Sequence, residues 1–247
     1  MIQGIYTTVS GMLPRMNQQK NIANNIANVN THGFKKGSLF LRELITAQYA
    51  LDHAMGNERT EVPEEFRVDY KQGTFDKTGS IYDIALNGQG FLRVRDNAGN
   101  VHYTRNGRFY LDPDGNMINS SGMFLLNERN DVIRIQGRNV KIMTTGEIYE
   151  EGEYTDTIGL ADFDTNDYQT LNSIGMGLFA KPAAVNEVQT NPETKMLQGF
   201  LEDSNVDPIL AMVDMIELFR SFELGQKSIQ IQDMTLQRVI TEVGIVR

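Results

Sequence analysis

The chain has 247 residues, no cysteine, and 32 acidic against 23 basic side chains, for a formal charge of −9. Without thiols there can be no disulfide, thiolate metal site or cysteine nucleophile. The acidic balance argues against a nucleic-acid surface, which needs a basic face, and Lys35-Lys36 is the nearest approach to one. Hydrophobic residues at 40% and charged residues at 22% are ordinary for a folded globular protein of one core or a core with an appendage.

The first predicted element is a helix. Ile2, Ile5, Val9, Met12, Met16, Gln19, Ala23 and Ile26 recur at alternating spacings of three and four, a heptad seam with Gln19 as its polar member. Pro14 falls inside this pattern and predicts a bend near Ser10-Gly11, or a first turn that forms only on assembly. The start, Met1 to Tyr6, lacks a charged stretch followed by an apolar run, so no secretory signal is expected. From Thr46 to Glu65 the chain is polar and aperiodic and reads as a loop.

After about residue 73 the pattern turns to short β-strands. Ile84, Leu86, Phe91, Leu92 and Val94 flank Asn87-Gly88-Gln89-Gly90, while Val101–Thr104 and Arg108–Leu111 read as strands. Turn signals stand at 96–100, 112–116 and 127–131, and Val140–Ile142 and Ile158–Ala161 extend the sheet. Asp207 and Pro208 then open a second helix, as cap and first residue. Its seam is Ala211, Met215, Leu218, Phe222, Gly225, Ile229, Gln232, Leu236, Val239 and Val243. Roughly 54 Å of helix at 1.5 Å per residue is too long for a small domain to enclose, so it must project and find a partner.

The expected architecture is therefore α+β. Paired long N- and C-terminal helices, coiled-coil-like (1–33 with 206–247), would carry an inserted, mostly antiparallel β domain (73–205), with an extended linker at 34–72.

Catalytic signatures do not appear. His32, His53 and His102 stand singly, without ligand spacing. Asp112-x-Asp114-Gly115-Asn116 has the look of a calcium loop, but Met123 stands where the twelfth-position glutamate belongs, and a hairpin explains the turn. Gly88-Gln89-Gly90 is a bare GxG with no helix pattern after it. No enzyme activity, cofactor, metal, small-molecule substrate or membrane span is expected.

Four ordered segments carry a resemblance. Ala23-Asn24-Asn25-Ile26-Ala27-Asn28-Val29-Asn30-Thr31-His32-Gly33-Phe34-Lys35 looks like the N-terminal signature of flagellar rod and hook proteins. Ile84–Phe91 and Tyr103–Phe109 resemble the two central signatures of that family, and Gly199–Val206 the block before its last helix. The length is similar to rod proteins of the FlgF and FlgG type, leaning to the proximal, FlgF type. The distal FlgG type, another hook-family subunit, and a secreted ligand-binding β domain on a helical stalk are the alternatives.

The resemblance implies a periplasmic rod of the flagellar basal body that transmits torque. It implies export through the flagellar type III apparatus, and assembly with copies of itself and neighbouring rod proteins. The seams would be assembly surfaces: Ile2, Ile5, Val9, Met12, Met16, Ala23 and Ile26 on the first helix, and Ala211, Met215, Leu218, Phe222, Ile229, Leu236, Val239 and Val243 on the second. Asn24, Asn25, Asn28, Asn30, Gly33 and Phe34 would form the helix exit. Asn87, Gly88, Gly90, Asn106 and Gly107 would set turns and strand register.

Overall fold

The computed structural model describes residues 2–41, 64–137, 139–164, 167–188 and 193–243. His53, most of the expected loop from Thr46 to Glu65, and Met1 lie outside them. The chain divides into two compact units. One is drawn from the described parts of Met1–Ala27, Gly37–Val68 and Asp207–Arg247, the other from Asn28–Lys36 and Asp69–Val206.

In the first unit, α1 spans Ile2–Ala27 and continues through Ser10, Gly11 and the buried Pro14. The second helix, α2, spans Pro208–Val243. Asp207 Oδ1 accepts the N–H groups of Ile209 (2.9 Å) and Leu210 (3.1 Å), satisfying two donors that the first turn leaves open. The helices run antiparallel: Met12 packs against Gly225 of α2, and Arg15 Nη1 donates to the Ser221 carbonyl at 3.3 Å. Beside them β1 (Gly37–Leu41) and β2 (Glu64–Val68) form an antiparallel pair, with Gly37 opposite Val68 and Leu41 opposite Glu64. Asn25 ties α1 to β1, donating to the Gly37 carbonyl at 2.8 Å and accepting its N–H at 3.0 Å.

The second unit is built of short antiparallel strands. Its main sheet runs in the order Asn172–Gly175 (β14), Leu178–Ala180 (β15), Val101–Thr104 (β6), Phe91–Arg95 (β5), Phe124–Leu125 (β9), Met117–Asn119 (β8) and Phe109–Leu111 (β7). Leu160–Ala161 (β13) adds to β5. Val140–Ile142 (β10), Glu147–Glu150 (β11) and Glu153–Thr157 (β12) make a three-stranded sheet. Ile84–Asn87 (β4) pairs with Lys195–Gln198 (β16), and Phe75–Lys77 (β3) with Phe200–Glu202 (β17). Ile84, Leu92, Val94, Leu125, Ile148 and Met196 meet in one core that joins these sheets.

One turn design recurs four times and explains much of the sheet's register. Asp96, Asp112, Asn119 and Asn127 each donate their N–H to a carbonyl four residues on. Each side-chain oxygen accepts the N–H of that same residue, at 2.8–2.9 Å. Gly99, Gly115, Gly122 and Asn130 take the left-handed conformation in the fourth place, which glycine and asparagine tolerate best. The turn at Asn119 has no aspartate-proline or asparagine-glycine pair to announce it, and the sequence does not predict it.

The architecture corrects the expected fold class. Seventeen strands make the described chain mostly β, and it is not an α+β assembly organised on paired long terminal helices. Its two helices are unequal, 26 residues against 36. The physical reason lies at both ends of the β region. The apolar repeat of α1 gives out after Ile26, where asparagines leave the helix, and β1 begins at Gly37, ten residues after α1 ends at Ala27. The β region is cut by its turns into strands of two to five residues, so more of the chain becomes sheet than alternation alone reveals.

Candidate functional site

Within the second unit, segments from both ends of the chain converge on a buried ion cluster. Lys35 Nζ lies 2.6 Å from Glu202 Oε1 and donates to the Lys71 carbonyl at 2.8 Å. Arg105 Nη1 reaches Glu202 Oε2 at 3.3 Å, and Nη2 donates to the Gly88 carbonyl at 2.8 Å. The Gly73 N–H donates to Glu202 Oε1 at 3.0 Å. The side chains of Lys35 and Glu202 are 0% exposed and that of Arg105 is 4% exposed. Such burial is tolerable only when each charge is paired and its remaining hydrogen-bonding capacity is used. Burial pushes the Lys35 ammonium below its ordinary range, and Glu202 opposes that shift. The Arg105 guanidinium also sits over the Phe91 ring, 5.5 Å from its centre. Phe91 is itself packed among Tyr70, Phe163, Tyr168 and Phe179.

Backbone and amide contacts surround the ions. The Gly33 N–H donates to the Glu202 carbonyl at 2.7 Å. Gly33 has φ +70°, and a Cβ there would lie 2.3 Å from the Arg105 carbonyl carbon, so its place admits only glycine. Asn205 Oδ1 accepts the Lys36 N–H at 2.7 Å while Nδ2 donates to the carbonyls of Asp69 (2.7 Å) and Lys71 (3.0 Å). The Asp69 N–H closes the group on the Lys36 carbonyl at 2.8 Å. His32 bridges Asp203 Oδ1 (3.2 Å, from Nδ1) and Arg108 Nη2 (3.0 Å, to Nε2). A guanidinium can only donate, so Nε2 accepts and Nδ1 carries the proton toward Asp203.

The sequence-singled residues fall into several places. Asn25 is buried and grips β1, and the Asn28 carbonyl accepts the Thr31 N–H, while the side chains of Asn24 and Asn30 are less enclosed. Phe34 is half-buried and donates its N–H to the Thr31 carbonyl. Asn87, Gly88 and Gly90 link β4 to β5, and Asn106 and Gly107 link β6 to β7, yet neither of these strand pairs is hydrogen-bonded together. Their glycines serve close passage instead. The Gly107 carbonyl accepts the Ile84 N–H at 2.9 Å, and a Cβ on Gly107 would fall 1.6 Å from the Ile84 oxygen. The Gly90 N–H donates to the Tyr168 hydroxyl at 3.2 Å.

On α2, Ala211 is buried and Met215, Leu218, Phe222 and Ile229 are half-buried, while on α1 Met12 and Ile26 are half-buried and Met16 and Ala23 exposed. The side chains of Ile2, Ile5, Val9, Leu236, Val239 and Val243 lie outside the described ones. A second apolar stripe on α2 stands open: Ile209, Met212, Ile216 and Phe219, spaced three, four and three, are each more than half exposed. Sequence reading missed this stripe, because it follows the strongest seam and stops there. It missed the ion cluster too, since Lys35 reads as surface charge and Glu202 as one acidic residue among many.

Comparison with known families decides what this arrangement belongs to. Residues 5–35 match the family model described as flagella basal body rod protein. Residues 85–150 match the flagellar hook protein FlgE/F/G D1 domain, and 197–242 the C-terminal region of flagellar basal body rod FlgEFG proteins. A flagellar basal-body rod protein FlgG of Bacillus subtilis is 30% identical over 97% of this chain and 98% of its own length. The chain belongs to the flagellar basal-body rod protein family. FlgF of Caulobacter vibrioides is 32% identical over 90% of both chains, and FlgG of Borreliella burgdorferi 30% over 96% of this chain and 97% of its own. Relatives of both names stand side by side, so the comparison does not separate FlgF from FlgG. As a member of this rod family the chain is a structural subunit of the flagellar basal body, assembled with other rod proteins. Its ion cluster draws one charge from each matched region: Lys35 from the first, Arg105 from the second, Glu202 from the third.

Proposed function

We propose that the chain stacks helically with copies of itself and with neighbouring rod proteins into a tube that carries torque across the periplasm, and that it has no catalytic role. Residues 1–33 and 206–247 form the inner, assembling layer in this reading, with 73–205 as the outer layer and 34–72 linking them. The subunit leaves the cytoplasm through the flagellar type III apparatus.

The observation that carries the assembly reading is the apolar surface of α2. Helices that are apolar on more than one side are ordinarily covered on each. Here the seam of Ala211, Met215, Leu218, Phe222 and Ile229 is buried or half-buried in the single chain, while Ile209, Met212, Ile216 and Phe219 face outward. Exposed apolar area of this kind on a family member whose relatives build a rod supports contact with a neighbouring subunit.

Electron microscopy of basal bodies from a strain lacking the gene tests the reading. Rods that stop short, and are completed when the gene is restored, are expected. Full-length rods in the deletion strain would overturn it.

A further inference from the structure

The charges of the ion cluster are unequal in sign. Lys35 and Arg105 are cations, and among the described residues the carboxylate within ion-pair distance of either is that of Glu202. Lys35 arrives on the exit segment after α1, Arg105 from the middle of the chain, and Glu202 on the last strand before α2. Docking the exit segment without Glu202 would bring an ammonium and a guanidinium into an apolar site with no counter-charge. A buried charge left alone is among the costliest defects a fold can hold. Docking the Glu202 strand without Lys35 would strand one oxygen of the carboxylate on the Gly73 N–H alone.

We infer that Lys35, Arg105 and Glu202 form an all-or-none clasp, through which the exit segment Asn28–Lys36 closes onto the β unit only when the Glu202–Asn205 block is in place, so that neither segment docks without the other. The clasp goes beyond rod membership, since a subunit could assemble with its two end segments docking independently. Its closed form is recorded by four backbone N–H bonds: Gly33 to the Glu202 carbonyl, Lys36 to Asn205 Oδ1, Asp69 to the Lys36 carbonyl, and Asp203 to the Thr74 carbonyl. Substituting the Glu202 side chain leaves all four acceptors in place. Strands β5 and β6 pair through Leu92–Arg95 and Val101–Thr104, away from these bonds.

Native-state hydrogen exchange on the full-length chain carrying Glu202→Gln tests the clasp. The amides of Gly33, Lys36, Asp69 and Asp203 are expected to lose protection together, by at least about tenfold, while those of β5 and β6 stay within about twofold of wild type. Adding Lys35→Met to Glu202→Gln removes the ammonium and is expected to return part of the lost protection to all four together, with Arg105 still lacking its carboxylate. Loss confined to Gly73, whose acceptor the substitution alters, would overturn the inference. So would an even loss across β5 and β6, which would make the cluster one part of a single cooperative core. If Glu202→Gln does not fold, Glu202→Asp shortens the reach while keeping the charge, and the same four amides must open together or the clasp is refuted.

Discussion

Lys35 Nζ and Glu202 Oε1 lie 2.6 Å apart across 167 residues of sequence, with both side chains sealed from solvent. A contact of this kind is a different thing from a surface ion pair, which contributes about 0–1 kcal/mol. Removing one partner leaves the other buried and unpaired, so Glu202→Leu is expected to destabilise the chain by about 3–5 kcal/mol. The double variant Lys35→Met/Glu202→Leu should recover about 1–2 kcal/mol of that and no more, because Arg105 still lacks its carboxylate. Urea unfolding of the two variants and of Lys35→Met beside wild type measures both numbers. Additive losses would mean that the pair is not energetically coupled.

The signature glycines should rank by what stands in the way of a Cβ. At Gly107 the obstacle is the Ile84 carbonyl oxygen at 1.6 Å, and at Gly33 it is the backbone of Arg105 and Asn106 at 2.3 Å, with a positive φ besides. Neither backbone can swing aside as a side chain would. Gly79 has a similar φ of +73° but open space around it. Gly79→Ala should therefore cost only the left-handed backbone penalty, about 1–2 kcal/mol. Gly33→Ala should cost more, and Gly107→Ala most. Thermal melts of the three variants give the order, and a Gly79 variant as damaged as Gly107 would contradict the steric account.

Acid should loosen the hairpin at Asp96 before it reaches the core. Bonds from the Asn100 side chain and backbone hold the Asp96 carboxyl at about 2, below its ordinary 3.8. A carboxylate whose folded value is depressed contributes stability that is complete above its unfolded value and is lost as the pH falls through the folded one. The window is therefore from about pH 4 down to about pH 2, with stability falling as the pH falls. Asn116 depresses Asp112 in the same way in the next turn. Asp96→Asn keeps an oxygen for the Asn100 N–H but cannot titrate. Exchange of the Asn100 amide should accelerate between about pH 4 and pH 2 in wild type beyond the intrinsic rate, and not in the variant.

How much of this molecule is legible in its sequence depends on whether the signal is local. Asp207 and Pro208 state the start of α2 because a cap acts on nearby N–H groups, and the turns at Asp96 and Asp112 are written into five consecutive residues. The ion cluster is the opposite case. Lys35 and Glu202 each stand beside a second like charge in sequence, Lys36 and Asp203, and their burial follows only when β17 pairs with β3 and Gly33 meets the Glu202 carbonyl. The number of strands is hidden for a related reason. A strand of two residues such as β9 has no period to detect, and it exists because Asn119 and Asn127 turn the chain on either side of it. Motif resemblance locates the segments that meet at the cluster without disclosing that they meet.

The two apolar faces of α2 should respond differently to a polar substitution. Leu218 and Phe222 are half-buried within the single chain, whereas Ile216 and Phe219 are each more than half exposed. Removing a half-buried leucine gives up apolar contact in the monomer, so Leu218→Ser should lower its stability by about 1–3 kcal/mol. Ile216→Ser touches little in the monomer and should leave its stability within about 0.5 kcal/mol. If the open stripe is where a neighbouring subunit sits, the same Ile216→Ser chain should still fold and yet fail to complete rods. Urea unfolding of the purified variants, paired with motility and basal-body micrographs of strains carrying them, separates folding from assembly. Normal rods built from Ile216→Ser and Phe219→Ser together would move the subunit contact away from this face of the helix.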